Sequence, residues 1–207
     1  LMETMDQVVQ AAFPVVSAPR FSSLEAGAKP GSRHIVAKDG LWREITLPWI
    51  RSIHPIAACD VPLPYGALHA EIELFCGPIP KDLRQKFVRD ATAASPYEMA
   101  AAMIWNQATG GWRYAVRENL AAGHAFVTYN EVSLEEGEFL VLDLHSHGKF
   151  DAYFSERDDA DDAGSMKFSG VIGNLNTGTP TTVMRLNLLG KTWAATMAAD
   201  GTLEVLE

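Results

Sequence analysis

Residues Phe139–Asp158 read FLVLDLHSHGKFDAYFSERD, and the rest of the chain is best read outward from them. The mostly apolar run Phe139–Leu144 has the pattern of a buried strand and delivers His145 and His147 at its end. Side chains at i and i+2 of a strand project from the same face, so the two imidazoles can grip one metal ion. Ser155 follows as a helix N-cap, and Asp158, three residues on, stands in the first turn of the helix that Ser155 starts. A carboxylate there can turn back toward the histidines. Two imidazoles and one carboxylate, with a fourth position left to water, form the ligand set of a catalytic rather than a structural zinc site. The predicted ligands are His145, His147 and Asp158.

The spacing His145-x-His147, seven residues, Ser155-x-x-Asp158 resembles the signature of the JAMM (JAB/MPN) zinc metallopeptidases, H-[ST]-H-x7-S-x2-D, without a gap. Either half alone is a weak signal. A His-x-His can be polar lining at a strand end, and Ser-x-x-Asp is also a plain capping box. The resemblance covers roughly Ala67–Glu207 and implies a zinc cofactor. It also implies a JAMM/MPN-like (cytidine-deaminase-like) mixed β-sheet flanked by helices.

Composition sets bounds around this. The 207 residues carry 47% hydrophobic and 21% charged side chains, ordinary values for a globular protein of one large domain or a domain with an appendage. A net charge of -9 argues against binding duplex nucleic acid, which needs clustered Lys and Arg. No apolar run approaches the ~18 to 20 residues of a membrane span, and no signal peptide is visible at the N-terminus. Cys59 and Cys76 are too few for a disulfide framework and read as reduced, buried thiols of a cytoplasmic protein.

Along the chain, Met5–Phe13 reads as a short amphipathic helix and Ser22–Ser32 as a loop. His34–Ala37 and Leu41–Leu47 flank Lys38-Asp39-Gly40 as a β-hairpin, with Trp42 and Trp49 packing on it. Pro55–Gly66 reads as irregular, which places a boundary near Gly66: residues 1–66 form an accessory region with a β-hairpin, and residues 67–207 the JAMM-like domain. Leu68–Leu74 alternates as a strand, and Pro80 opens a helix that stops before Pro96. Strands follow near Trp112–Val116 and His124–Val132, then the histidine strand from Glu138, then Lys167–Leu175, Thr181–Leu189, Thr192–Met197 and Thr202–Leu206. The acidic run Asp159, Asp161, Asp162 reads as a solvated helix face. The order gives an α+β domain with a mixed, largely antiparallel sheet.

Peptide cleavage needs a group that takes a proton from water and returns it to the leaving amine. In JAMM enzymes this is a glutamate after the first long helix, and Glu98 matches, since it follows Pro96 and opens the apolar run Met99–Trp105. The resemblance therefore assigns Glu98 to activation of zinc-bound water. Glu71, Glu73, Glu118, Glu131 and Glu138 fit less well, and Ala101 departs from the glycine that relatives often carry. The family role of the serine, here Ser155, is donation to the developing oxyanion. Asp143 shares the strand face of the histidines, either as an acceptor for an imidazole N–H or as a plain polar residue. His34, His54, His69 and His124 are scattered and read as surface or core histidines.

The N-terminal part is similar to that of the JAMM proteins of the PRTRC cassette, a bacterial gene set named for its ParB-related and ThiF-related members. This implies a ubiquitin-like protein as substrate and a ThiF/E1-like enzyme of the same cassette as partner. The function expected is a zinc-dependent peptidase or isopeptidase acting on a ubiquitin-like protein or its conjugates. The alternatives are a catalytically silent scaffold of the same fold and a small-molecule zinc hydrolase.

Overall fold

The computed structural model describes residues 4–117, 119–123, 126–129 and 132–206. The chain divides into two compact units, Leu1–Phe75 and Cys76–Glu207. The division lies beyond the expected boundary near Gly66, and hydrogen bonding gives the reason. Glu71–Leu74 pairs with Ile50–Ile53, and the Phe75 N–H donates to the Trp49 carbonyl at 2.8 Å, so this strand belongs to the first unit.

The first unit holds helix α1 (Met5–Ala12) and strands β1 (Val15–Ser17), β2 (Gly31–Ala37), β3 (Gly40–Leu47), β4 (Ile50–Ala58) and β5 (Glu71–Leu74). They form one sheet in chain order, parallel only between β1 and β2. The expected accessory hairpin is therefore part of a five-stranded sheet. Pro55, expected in a loop, lies within β4, which is tolerated because the ladder to β3 shifts register at Leu41/Trp42. Ala18, Ile35, Ala37, Trp42 and Ile53 pack together as a core. Trp49 is buried as well. Glu44 is buried between Arg33 and Arg51. Cys59 is exposed, contrary to expectation, whereas Cys76 in the second unit is buried and its thiol is pushed up to about 11 by desolvation.

The second unit is α+β. Helix α2 (Lys81–Ala94) precedes strands β6 (Ala100–Asn106), β7 (Trp112–Arg117), β8 (Asn119–Gly123), β9 (Phe126–Tyr129) and β10 (Glu138–Ser146). Helix α3 (Glu156–Asp162) and strands β11 (Met166–Gly173), β12 (Thr181–Leu188), β13 (Lys191–Met197) and β14 (Leu203–Val205) complete it. Seven strands form one mixed sheet in the order β14-β13-β12-β11-β10-β6-β7, with β10 and β11 its parallel pair. The single strand expected over His124–Val132 is instead one arm of a small β8–β9 hairpin, while His124 itself lies outside the described residues.

Pleat alternation and register sort the two faces of the sheet. Leu142, Leu144, Phe168, Met184 and Leu186 share one face, over which α2 lies with Phe87 and Ala91 buried. Asp143, His145, Lys167, Ser169, Arg185 and Asn187 share the other, which carries α3. Helix α3 has no apolar side chain in the core, and its one buried residue is Asp162. Charge holds it instead. Asp162 pairs with Arg185 at 2.8 Å and Lys167 at 3.3 Å, and Arg185 also pairs with Asp159 and lies 3.8 Å over the Phe154 ring. The acidic run is thus divided: Asp162 and Asp159 bind the sheet, while the side chain of Asp161 remains 71% exposed.

Asp162→Ala leaves two cations without their buried partner and is expected to destabilise the chain by about 3–5 kcal/mol. Asp161→Ala is expected to stay within about 0.5 kcal/mol. Chemical denaturation of both variants checks the contrast, and equal losses would refute the assignment.

Candidate metal centre

Strand β10 presents His145 as expected. Its neighbour Ser146 is fully buried and makes a reciprocal pair with Met99: the Met99 N–H donates to Ser146 Oγ at 3.1 Å, and the Ser146 N–H donates to the Met99 carbonyl at 2.9 Å. Because Glu98 precedes Met99, this pair holds Glu98 beside the histidine strand, just before β6 begins. The Glu98 carboxyl is pushed above the usual carboxylate range, chiefly by burial; His147 opposes the shift and Asp158 adds to it. Glu98 therefore shares the electrostatic environment of the predicted ligands.

The predicted ligands converge. His145 Nε2 lies 3.3 Å from His147 Nε2 and 3.6 Å from Asp158 Oδ1, and one donor atom from each residue fits within 4.8 Å of the others. Among the described residues no other group of three His, Cys, Asp or Glu is so placed. His34, His54 and His69 belong to the first unit, where His54 is buried with its Nδ1 2.9 Å from Ser52 Oγ. Burial holds the His145 imidazolium below its ordinary pKa, which favours the neutral ring that a metal requires. Burial alone would raise the Asp158 carboxyl, but His145, Ser155 and His147 together bring it below its ordinary value.

Ser155 is the N-cap of α3 in a reciprocal capping box. Its N–H and Oγ donate to Asp158 Oδ2 at 2.7 and 2.6 Å, and the Asp158 N–H reaches Ser155 Oγ at 3.3 Å. Oδ2 is thus satisfied locally, and Oδ1 is the oxygen turned to His145. The capping box thus leaves one Asp158 oxygen free of it and directed at the imidazole.

The remaining ligand is set by a loop. His147 Nδ1 lies 3.0 Å from the Asp151 carbonyl, which can only accept, so Nδ1 carries the proton and Nε2 offers its lone pair to the centre. That carbonyl is itself held in place. Asn174, at φ 55°, donates from its backbone to the Phe150 carbonyl at 2.7 Å and from its side chain to Asp151 Oδ1. The Leu175 N–H binds the Gly148 carbonyl, and the Ala152 N–H donates to Thr181 Oγ1. The loop crosses Gly173 so closely that a Cβ there would fall 2.3 Å from the Phe150 oxygen and 2.5 Å from the Ala152 nitrogen. The Tyr153 ring packs edge-on to His147 at 4.5 Å.

Asp143 does not accept from an imidazole. Its Oδ2 receives Arg117 at 2.7 Å and Lys167 at 2.6 Å, because the same sheet face that carries the histidines also carries these cations. Among the other glutamates, Glu138 is engaged by Arg113 in a two-pronged pair that lowers it to about 2, and Glu71 and Glu73 lie on β5 of the first unit. Glu118 and Glu131 lie outside the described residues. Asn174 and the Asp151 carbonyl were not anticipated from sequence. Backbone acceptors leave no residue signature, though Asn in a Gly-Asn turn marks a position that tolerates positive φ.

The donor set fits zinc in its chemistry: two imidazole nitrogens and one carboxylate oxygen within 4.8 Å of one another. The second unit is a mixed-sheet α+β domain with a His/His/Asp cluster between a strand end and a helix start, and sequence comparison gives it a family. Residues 80–188 match the prokaryotic homologs of the JAB domain, which is more than half the chain, and the protein belongs to that family. Residues 3–75 match a domain of unknown function, DUF2016. No curated protein matches the chain. No helix among the described residues is long and apolar enough to cross a membrane.

Asn174→Ala removes the side chain that fixes Asp151 and is expected to weaken zinc affinity by about 10- to 100-fold, the usual worth of a group that orients a ligand. A competitive chelator titration measures it, and unchanged affinity would refute the role.

Proposed function

We propose that this chain is a zinc-dependent peptidase or isopeptidase of the JAMM type, acting on a ubiquitin-like protein or its conjugates. The observation that carries the reading is the convergence of His145, His147 and Asp158 beside a half-buried glutamate, Glu98. Zinc, when bound, would supply Lewis acidity toward water and the scissile carbonyl. Glu98 takes the proton from the attacking water and delivers it to the leaving amine. A raised pKa suits both halves of that task, because it brings the carboxyl toward the operating pH.

Ser155 donates its hydroxyl hydrogen to Asp158 in the resting geometry. To stabilise a developing oxyanion that hydrogen must swing away, and Asp158 Oδ2 then keeps the Ser155 backbone N–H as donor. Tyr97, Phe150 and Tyr153 neighbour the site residues in sequence and are exposed, which offers apolar surface to an extended tail. The substrate class rests on the resemblance of the N-terminal part to JAMM proteins of the PRTRC cassette, which also makes a ThiF/E1-like enzyme the proposed partner.

The test is cleavage of a ubiquitin-like fusion, with zinc content measured for each variant. Glu98→Gln is expected to lower turnover by about 10²- to 10⁴-fold with zinc retained, and to abolish an acid limb of the rate profile lying above the ordinary carboxylate range. Asp158→Asn is expected to lose zinc along with activity. Full activity in Glu98→Gln would remove Glu98 from the mechanism, and zinc loss in that variant would make it a ligand or a structural residue.

A further inference from the structure

Two uncovered surfaces of this chain are complementary. The first is α1. Met5, Val8, Val9 and Phe13 recur at the spacing of one helical face and are 78%, 47%, 55% and 58% exposed, and no side chain of the helix is buried. An isolated helix of eight residues is marginal in water, so an apolar stripe with nothing on it calls for a cover. Its charge is one-sided. From residue 1 to Pro19 the sequence has Glu3 and Asp6 but no Lys, Arg or His. An anionic membrane surface would require cations on the polar face, so a lipid headgroup layer is the wrong partner.

The second surface is a cleft of about 620 Å³ in the second unit, between α2 and the sheet. A single helix cannot roof a seven-stranded sheet, and Met103, Leu144, Met184 and Met197 floor the part left open. Methionine floors adapt to varied apolar side chains. The rim is basic: Lys81, Arg84 and Arg89 line it, with no carboxylate among the lining residues. Arg84 is committed to the Ile79 and Ala199 carbonyls, and Lys81 and Arg89 are the exposed cations among the lining residues.

We propose that α1 of one copy seats its Met5, Val8, Val9 and Phe13 stripe in the α2–sheet cleft of a second copy, with Asp6 directed to Lys81 and Arg89. The contact is a helix laid in an apolar groove, made between two copies of the chain. It is independent of the metal centre: the cleft lies on the α2 face of the sheet, and His145 on the α3 face.

Sedimentation of the full chain over a concentration series tests this. The expected result is reversible dimerisation that weakens with salt. Val8→Asp with Val9→Asp, on a helix that buries nothing, is expected to weaken association at least tenfold. Lys81→Glu with Arg89→Glu, both at exposed positions, is expected to do the same, and adding Asp6→Lys to that pair is expected to restore it. A chain that stays monomeric at every concentration overturns the proposal. So does a dimer indifferent to the Val8 and Val9 substitutions, or a charge-reversed rim that Asp6→Lys fails to rescue.

Discussion

The placement of Asp158 depends on a carboxylate four residues later. Asp162 is buried between Lys167 and Arg185, and it is the only residue by which α3 enters the interior. Helices usually dock through an apolar face, and seven residues rich in aspartate have none to offer. The sheet face beneath has changed accordingly. Arg117, Asp143, Lys167 and Arg185 form a chain of charges on it, each cation shared between carboxylates or placed beside one. Such pairs gain little over an apolar contact once desolvation is counted, but they fix direction, and a metal ligand requires direction more than binding strength.

The other half of the centre is fixed by neutral hydrogen bonds. The Ser146–Met99 pair holds the histidine strand against the segment bearing Glu98, and the loop over Gly173 holds the carbonyl that selects the His147 tautomer. The three candidate ligands thus come from a strand, the residue just beyond it and a helix start, each fixed by a different device. Two imidazole nitrogens 3.3 Å apart, with a carboxylate oxygen 3.6 Å from the first, bring three polar atoms to one point.

The clustering of His145, His147 and Asp158 was legible in the sequence because its signals are local. His-x-His at a strand end and Ser-x-x-Asp at a helix start depend on pleat and capping geometry, which a few residues determine. The sheet was legible for the same reason from Lys167 onward, where short alternating runs are separated by turn residues. What failed depended on pairing at a distance. Asp143 has the same face as His145 but a cation on either side, which only the register of β10 with β11 and, through β6, with β7 shows. Arg185 inside the apolar run Thr181–Leu189 was the available sign that a buried carboxylate must exist elsewhere, and Asp162 is that carboxylate. The boundary near Gly66 failed because β5 is short and its partner β4 precedes the irregular stretch.

The parallel pairing of β10 and β11 has a consequence in time. An antiparallel neighbour can zip from a tight turn, but a parallel one must wait until the connecting chain has crossed the sheet. Here residues 147–165 are that connection, and they carry His147, Ser155 and Asp158. On the ribosome, His145, His147 and Asp158 all emerge before β12 supplies Arg185, the cation that anchors α3. The nascent chain therefore holds the three clustered side chains well before it holds the contact that fixes their geometry.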